Sequence, residues 1–301
     1  MVRPASSRSS HHLAPIAVAV AGIALFSVMD ALMKRASLAG GVYSALLARS
    51  VIGAVLLAPA WLLRGAPMPP WPVMRLHFLR SALSAGMAGT FFWGLVRTPM
   101  AEGMALSFIA PLIALWLAAA FLGEKIRRTA IFAALLGIAG VGVIALGRLA
   151  APAHGPGAGW GIAAILVSAV LYAANLVIQR RQAQLAGPLE VALFQNAMIA
   201  LVLLPAAPLL WHSPSASGLG DMASSAVLAS SSLMLLAWAY ARAEAQVLVT
   251  IEYTGFIWAA LMGWWWFDEA VTPATLGGLV LIIAGVWIGA SKGRAPAPPP
   301  G

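Results

Sequence analysis

Charged side chains stand inside long apolar stretches of this sequence, where a charge is costly. Asp30 and Arg49 occupy two successive apolar stretches, and Glu252 lies several residues deep in another. On insertion scales, a charge at the centre of a membrane helix costs about 2.5–3.5 kcal/mol, so each of these residues needs a partner or a function. Glu252 could bind a proton, contact a polar solute, or bond to a neighbouring helix.

The full set of candidate site residues comprises carboxylates, amides, one guanidinium and one phenol. They are Asp30, Arg49, Glu102, Asn175, Asn196, Glu252 and Tyr253. We interpret them as lining a substrate cavity or taking part in coupling to an ion. The alternative is that they hold helices together through interhelical hydrogen bonds, or through an ion pair between Asp30 and Arg49. Both interpretations stay open at the level of sequence.

Glu252 shares one helical face with small residues. At spacings of three and four, Glu252 aligns with Gly255, Ala259 and Gly263, and Glu244 extends the same stripe. Small residues allow a neighbouring helix to approach closely, so this stripe is expected to face protein or water rather than lipid. The run of three tryptophans at 264–266 is interpreted as part of an interfacial aromatic belt.

Two prolines interrupt apolar stretches and are candidate helix breaks. Pro111 lies within LSFIAPLIALW, and Pro205 lies within ALVLLPAAPLL. A break frees backbone carbonyls that can shape a substrate site or a hinge, but proline is also simply tolerated in membrane helices.

Composition places these residues in a polytopic membrane protein. Of 301 residues, 61% are hydrophobic and 9% are charged, whereas soluble domains carry about 25% charged residues. The net charge of +9 comes from basic residues scattered in short loops, so no nucleic-acid partner is expected. No phosphate loop, metal motif or catalytic serine elbow occurs, so we expect no enzyme activity, cofactor or metal site.

Hydropathy predicts an all-α integral membrane protein with ten transmembrane helices. An excess of Lys and Arg on one side, thirteen of the 18, predicts that both termini are cytoplasmic in the inner membrane of a bacterium. The tails 1–12 and 291–301 are expected to be cytoplasmic, the latter disordered, with a linker at 148–158. The predicted spans are 14–33, 43–63, 77–97, 100–122, 129–147, 159–179, 189–210, 222–241, 245–266 and 273–290.

The two halves of the chain, 13–147 and 159–290, repeat each other. ALFSVMDALMKR at 24–35 aligns with AVLYAANLVIQR at 169–180, at an offset of 145 residues. Each half holds five predicted spans, so the second half would enter the membrane in the opposite sense, as in transporters with inverted repeats. The repeat aligns Asp30 with Asn175 and Arg49 with Asn196, which predicts a charged cluster towards the outer side and an amide cluster towards the inner side.

These features together resemble the EamA-like branch of the drug/metabolite transporter superfamily. The resemblance is carried by TPMAEGMALSFIAPLIALWLAAAFLGEKI (98–126) and by the segment 243–286, which contains VTIEYTGFIWAALMGWWWFDE. It implies two five-helix repeats around a cavity that opens alternately to either side, and cargoes such as amino acids, other metabolites, riboflavin, S-adenosylmethionine or toxic cations.

We therefore expect a secondary active transporter of a small polar metabolite such as an amino acid or its derivative, driven by protons or by exchange. A carrier of larger cofactor-like solutes and an exporter of toxic cations are the alternatives. A non-transporting membrane subunit and a channel are kept as further hypotheses. The small-xxx-small pair Gly285 and Gly289 in the last helix indicates helix packing, and a homodimer through that helix is a further expectation.

Overall fold

A computed structural model describes residues 10–65, 67–122, 128–151, 157–240, 242 and 251–291. All regular secondary structure in this part of the chain is helical. Glu244 and most of the two predicted tails lie outside it, as do residues 152–156 of the predicted linker.

The described residues of the first half of the chain form six helices. Gly41, with φ of 83°, makes the one-residue turn between the first two, a conformation that favours glycine. The first helix runs to Gly40, beyond the predicted limit at 33, because the charges at its end are paired within the protein. The helices are α1 (Ser10–Gly40), α2 (Val42–Leu63), α3 (Trp71–Leu95), α4 (Met100–Ser107), α5 (Ala110–Leu122) and α6 (Arg128–Ala150).

The second half forms a similar series. The hydroxyl of Thr272 accepts a hydrogen bond from the backbone N–H of Thr275 at 3.1 Å and so caps the last helix, whose first residue is Pro273. The helices are α7 (Ala158–Ala183), α8 (Pro188–Leu203), α9 (Ala207–Leu210), α10 (Ala216–Tyr240), α11 (Gly255–Phe267) and α12 (Pro273–Ser291), with a 3-10 turn at Leu204–Ala206 between α8 and α9.

The lengths and composition of these helices define a multi-pass membrane protein. α3 has 25 residues and is long enough to span, but Arg75, Arg80 and several small residues make it less apolar than the others. Shorter apolar stretches, mostly helical, occur at Met100–Ala114 and Pro273–Ile288. Within the described residues, six stretches are long and apolar enough to cross a bilayer, namely Ala14–Gly40, Val42–Leu63, Ile131–Ala150, Ala158–Leu176, Pro188–Leu210 and Ala216–Ala239.

The predicted fourth span, 100–122, is not one continuous helix. α4 ends at Ser107 and α5 begins at Ala110, with Phe108 and Ile109 between them. Pro111 has no N–H to donate to the carbonyl of Ser107, which removes one helical hydrogen bond at this point. The N–H groups of Phe108 and Ile109 instead bond to carbonyls three residues back, each at 3.3 Å.

The predicted ninth span, 245–266, is interrupted in the same way at Tyr253 and Thr254. These positions correspond to Phe108 and Ile109 at the repeat offset of 145 residues. The residue aligned with Pro111 is Phe256, so proline is not the cause here. The hydroxyl of Thr254 donates to the carbonyl of Ile251 at 2.7 Å, a local bond that competes with the regular helix.

Helices from the two halves interleave. α1 packs on α10, α3 on α7, α2 on α8, and α6 on α12. The α6–α12 contact is antiparallel and built on glycine. A Cβ atom on Gly140 would lie 2.5 Å from the carbonyl oxygen of Gly278, and one on Gly285 would lie 2.7 Å from that of Ala133. Gly285 therefore packs within its own chain. The opposite face of α12 carries the exposed residues Leu276, Val280 and Trp287.

Candidate functional site

Asp30 on α1 is buried, Arg49 on α2 is partly buried, and the two side chains carry opposite charges. Asp30 is 3% exposed, and the two side chains interact electrostatically. They make no direct ion pair among the contacts of the described residues. Nη1 of Arg49 lies 3.5 Å from the sulfur of Met29, and its Nε is enclosed with no hydrogen-bond partner among the residues that the structure describes. A zwitterion could satisfy both charges, its ammonium group at Asp30 and its carboxylate at Arg49.

Glu102 connects three helices at the end of the bundle where α1 finishes. It lies on α4 and is 2% exposed. Its Oε1 accepts a hydrogen bond from the hydroxyl of Thr275 on α12 at 3.5 Å, and its Oε2 lies 3.7 Å from Nε of Arg148 on α6. This geometry ties α4, α6 and α12 together.

The same end holds a second set of ionic contacts that the sequence did not single out. Lys34, 3% exposed, forms an ion pair with Glu269 and donates a hydrogen bond to the carbonyl of Thr98 at 2.9 Å. The other oxygen of Glu269 accepts the N–H of Met100 at 2.7 Å and so caps α4. We call this end of the molecule the Lys34 end.

Arg35 adds a contact between α1 and α10 at the Lys34 end. Its guanidinium is bound through two nitrogens to the carboxylate of Asp221, with Nε 2.7 Å from Oδ2, and it lies over the ring of Trp266. The Arg35 side chain is 48% exposed, so this pair contributes less than the buried contacts of Lys34.

The opposite end contains a buried chain of polar side chains, here called the Arg80 network. Nε of Arg80 donates to Oδ1 of Asn175 at 3.0 Å, and its Nη1 donates to Oε1 of Gln182 at 2.5 Å. Asn175 also donates to the hydroxyl of Ser84 at 2.6 Å. Gln182 lies 2.7 Å from Nδ1 of His77. The network joins α3 to α7.

The two asparagines that the repeat aligns with Asp30 and Arg49 have different surroundings. Asn175 belongs to the Arg80 network, whereas Asn196 donates to the carbonyl of Ala192 in its own helix at 2.9 Å. A Cβ atom on Gly53 of α2 would lie 2.6 Å from Oδ1 of Asn196, so this amide packs directly on α2. No hydrogen bond between described residues joins Asn175 to Asn196.

Glu252 and Tyr253 lie at the interruption before α11. The carboxylate of Glu252 interacts electrostatically with Tyr172 of α7 and with Tyr253. The rings of Tyr253 and Phe108 meet edge to face, with centroids 5.0 Å apart and an interplanar angle of 88°. The two helix interruptions are thus in direct contact. The hydroxyl of Tyr253 is enclosed without a hydrogen-bond partner among the described residues.

Pro205 lies in the 3-10 turn between α8 and α9. The turn frees the carbonyl of Leu203, which accepts a hydrogen bond from the phenol of Tyr43 on α2 at 2.5 Å. This hydrogen bond connects the interruption between α8 and α9 to α2 in the first half of the chain. A role for Pro111 or Pro205 in substrate binding stays a prediction.

Sequence reasoning missed the Arg80 network almost entirely. The predicted third span, 77–97, begins at His77 and contains Arg80, and neither residue was among the candidate site residues. The signal that could have found them is spacing, because His77, Arg80 and Ser84 are three and four residues apart and therefore share one face of α3. Their partners on α7 are about 100 residues away in the chain, and no local pattern reveals them.

The fold and its buried polar residues define a helical, multi-pass membrane protein. The sequence profile of the EamA-like transporter family matches residues 13–146 and 159–289. The chain therefore belongs to the EamA-like transporter family, within the drug/metabolite transporter superfamily.

Its curated relatives include exporters. The chain is 26% identical over 274 residues to the pseudopaline exporter CntI of Pseudomonas aeruginosa, covering 89% of this chain and 93% of that protein. It is 29% identical over 201 residues to a probable terminal-alkyne amino-acid exporter of Streptantibioticus cattleyicolor, covering 65% of this chain and 66% of that protein. A protein crystal structure with 23% identity superposes with a TM-score of 0.60, over 96% of this chain and 99% of that one, which shows a shared fold.

Proposed function

We propose that this protein exports an amino-acid-like metabolite across the bacterial inner membrane by alternating access. The observation that carries the proposal is the pair Asp30 and Arg49, a buried carboxylate and a partly buried guanidinium that do not neutralise each other by direct contact. The names of two exporter relatives, one of them a probable amino-acid exporter, agree with a zwitterionic cargo. The family relationship supports transport as the general activity.

Alternating access rests on an inverted repeat of two five-helix halves, 13–147 and 159–290. The family profile matches the chain twice, over nearly these ranges. The first and last residues of α10 lie 145 positions after those of α3, and the same holds for α11 and α5. The antiparallel contact between α6 and α12, which are aligned by the repeat, supports opposite orientations of the halves. Phe108 and Tyr253, also aligned by the repeat, touch and would lie near its two-fold axis.

The other candidate residues take supporting roles in this proposal. Glu252 and Tyr253 line the cavity at the helix interruption, and Glu252 couples transport to protons. Asn175 and Asn196 line the inner half of the pathway. The contacts of Glu102 and of the Lys34 end hold the outer side closed when the cavity is open to the cytoplasm. Both termini are then cytoplasmic, and a homodimer would use the exposed face of α12.

A zwitterionic cargo fits the site better than the alternatives. A toxic cation would satisfy Asp30 but leave the guanidinium of Arg49 without an anion in an apolar interior, which is unfavourable. Larger solutes such as riboflavin or S-adenosylmethionine remain the second candidate class, since a carboxylate or phosphate group on such a solute could also reach Arg49.

The test is counterflow in proteoliposomes that contain the purified protein. Vesicles are loaded with one amino acid at millimolar concentration and supplied with the same labelled amino acid outside. The panel comprises acidic, neutral and basic amino acids and amino-acid derivatives. We expect saturable uptake of at least one zwitterion. Asp30→Asn and Arg49→Gln should each lower it at least tenfold, because each removes one charge of the pair.

Arg64→Gln is the matched control for Arg49→Gln, because Arg64 is the exposed residue that follows the same helix. It should transport like the wild type. Absence of uptake for every zwitterion, or full activity of both Asp30→Asn and Arg49→Gln, would overturn the proposal. Uptake of riboflavin or S-adenosylmethionine alone would favour the second class of cargo.

A further inference from the structure

Two arginine–tryptophan pairs have the same internal geometry in the two halves of the chain. Arg97 follows α3, its Cζ lies 3.6 Å from the ring centroid of Trp93, and its Nη1 donates to the carbonyl of Trp93 at 2.7 Å. Arg242 follows α10, its Cζ lies 4.3 Å from the ring centroid of Trp238, and its Nη1 donates to the carbonyl of Trp238 at 3.2 Å. The repeat offset of 145 residues relates both members of one pair to those of the other.

The two pairs lie at opposite ends of the molecule. Arg97 adjoins Thr98, whose carbonyl accepts a hydrogen bond at the Lys34 end. Asp221, near the start of α10, binds Arg35 at that same end, so Arg242, which follows the last residue of α10, lies at the other end. α3 and α10 have 25 residues each, which gives a length of about 37 Å against about 30 Å for the hydrocarbon core of a bilayer. Each pair is therefore at the level of the lipid headgroups, one in each leaflet.

Both pairs are accessible from outside the bundle. Trp93 and Trp238 are each 39% exposed. Arg242 is exposed and Arg97 is partly exposed. A lipid that surrounds the protein can therefore reach both guanidinium groups without any change in the packing of the helices.

The first turn of α7 fixes the position of Arg97. A Cβ atom on Gly161 would lie 2.8 Å from Cβ of Arg97, and one on Gly157 would lie 3.7 Å from its Cδ and Nε. These two glycines leave room for the aliphatic part of the side chain, so the guanidinium is held over the Trp93 ring. Trp160 in the same turn is 74% exposed, as is typical of tryptophan at a membrane interface.

The stacked arrangement leaves hydrogen-bond donors for an anion. The indole ring covers one face of the guanidinium, whereas the five N–H donors of an arginine lie in the plane of the group. One of them binds the tryptophan carbonyl in each pair. A phosphate oxygen at the edge of the group can accept charge-assisted hydrogen bonds from the others.

We propose that each arginine–tryptophan pair binds the phosphate group of an anionic phospholipid, one lipid in each leaflet. The phosphate contacts the guanidinium, and the indole packs against the apolar part of the same lipid. A zwitterionic lipid binds more weakly, because its own ammonium group competes with the arginine for the phosphate. The inference is independent of the cargo and of the direction of transport.

The experiment counts bound lipids by native mass spectrometry. Detergent-purified protein is titrated with phosphatidylglycerol or with phosphatidylcholine, and inorganic phosphate is added in a separate arm as a competitor. We expect the wild-type protein to bind two molecules of phosphatidylglycerol more tightly than any further one, and more tightly than phosphatidylcholine. Arg97→Gln and Arg242→Gln should each lower the affinity of one site about fivefold, and the double variant should lower both.

Arg64→Gln is the matched control, because Arg64 is an exposed residue that follows α2 and the substitution removes the same charge. It should retain both tightly bound lipids. Trp93→Leu leaves the net charge unchanged and removes the ring on which Arg97 stacks. It should weaken one site and leave the other as in the wild type.

Three results would overturn the inference. Equal affinity of the wild-type protein for phosphatidylglycerol and phosphatidylcholine would do so even if the variants fail to fold. An unchanged lipid count in the folded double variant would make the two arginines only caps of α3 and α10, since each also binds a carbonyl in the last turn of its helix. Displacement of the lipids by an equal concentration of inorganic phosphate would assign the sites to free phosphate.

Discussion

The ion pair between Lys34 and Glu269 is predicted to stabilise the Lys34 end, and its removal gives a measurable loss of stability. Glu269→Gln removes the negative charge opposite an ammonium group that is 3% exposed. The substituted amide can still accept the N–H of Met100, which Glu269 now binds at 2.7 Å. The substitution therefore isolates the charge from the cap of α4.

The magnitude follows from the burial of the two partners. Breaking a fully buried ion pair costs about 3–5 kcal/mol, because one charge is left uncompensated. The side chain of Glu269 is 18% exposed, so water reduces that cost, and we expect Glu269→Gln to lose about 2–4 kcal/mol. At about 2 °C per kcal/mol for a chain of this size, the melting temperature should fall by about 4–8 °C.

The assay is a double-mutant cycle measured by thermal unfolding in nanodiscs. The variants are Glu269→Gln, Lys34→Met and the combination of the two. The double variant should be more stable than the sum of the single losses predicts, by about 1 kcal/mol or more, because it leaves no unpaired charge. Asp268→Asn is the control, since this neighbouring carboxylate is exposed and asparagine tolerates its positive φ of 53°.

Additive losses would refute the reasoning. If the effects of Glu269→Gln and Lys34→Met sum to that of the double variant within about 0.5 kcal/mol, the two side chains do not act as a pair. A loss from Asp268→Asn equal to that from Glu269→Gln would show that general surface charge, rather than the buried contact, sets the effect.

Three further outcomes are expected. Gly140→Leu should abolish the monodisperse peak of folded protein in size-exclusion chromatography, because its Cβ would lie 2.5 Å from the carbonyl oxygen of Gly278. Gly142→Leu on the same helix should be tolerated, since a Cβ at that position meets nothing within 4 Å. Glu252→Gln should keep counterflow at equal pH and lose acceleration by a pH gradient; an unchanged response to the gradient would assign proton coupling elsewhere. Trp265→Ala should change the free energy of unfolding by less than about 0.5 kcal/mol, because this side chain is 74% exposed on the outside of the bundle.

Several features of the fold were predictable because the bilayer imposes them on the sequence. Every spanning segment must satisfy its own backbone hydrogen bonds and present apolar side chains, so long apolar stretches predict helices directly. The small stripe of Gly255, Ala259 and Gly263 is buried as the spacing indicated. The interruption at Phe108 lies next to Pro111, a candidate helix break in the sequence. The interruption at Tyr253 was not predicted, because hydropathy averages over a window and does not register the loss of single hydrogen bonds. The sequence indicated that Gly285 in the tenth predicted span packs against another helix, but it did not identify that helix as α6.

The sequence by itself determined that this chain is a helical membrane protein, that Asp30 and Arg49 are charges within its spans, and that it belongs with the EamA-like transporters. These properties follow from composition, periodicity and short motifs, which are local. The tertiary structure alone decided which charges meet. Lys34 and Glu269 are 235 residues apart in the chain, and Arg80 and Asn175 are 95 apart. The physical reason is that hydrogen bonds and ion pairs act over a few ångströms in space, and only the packing of α1, α3, α7 and the turn before α12 brings those groups within that distance.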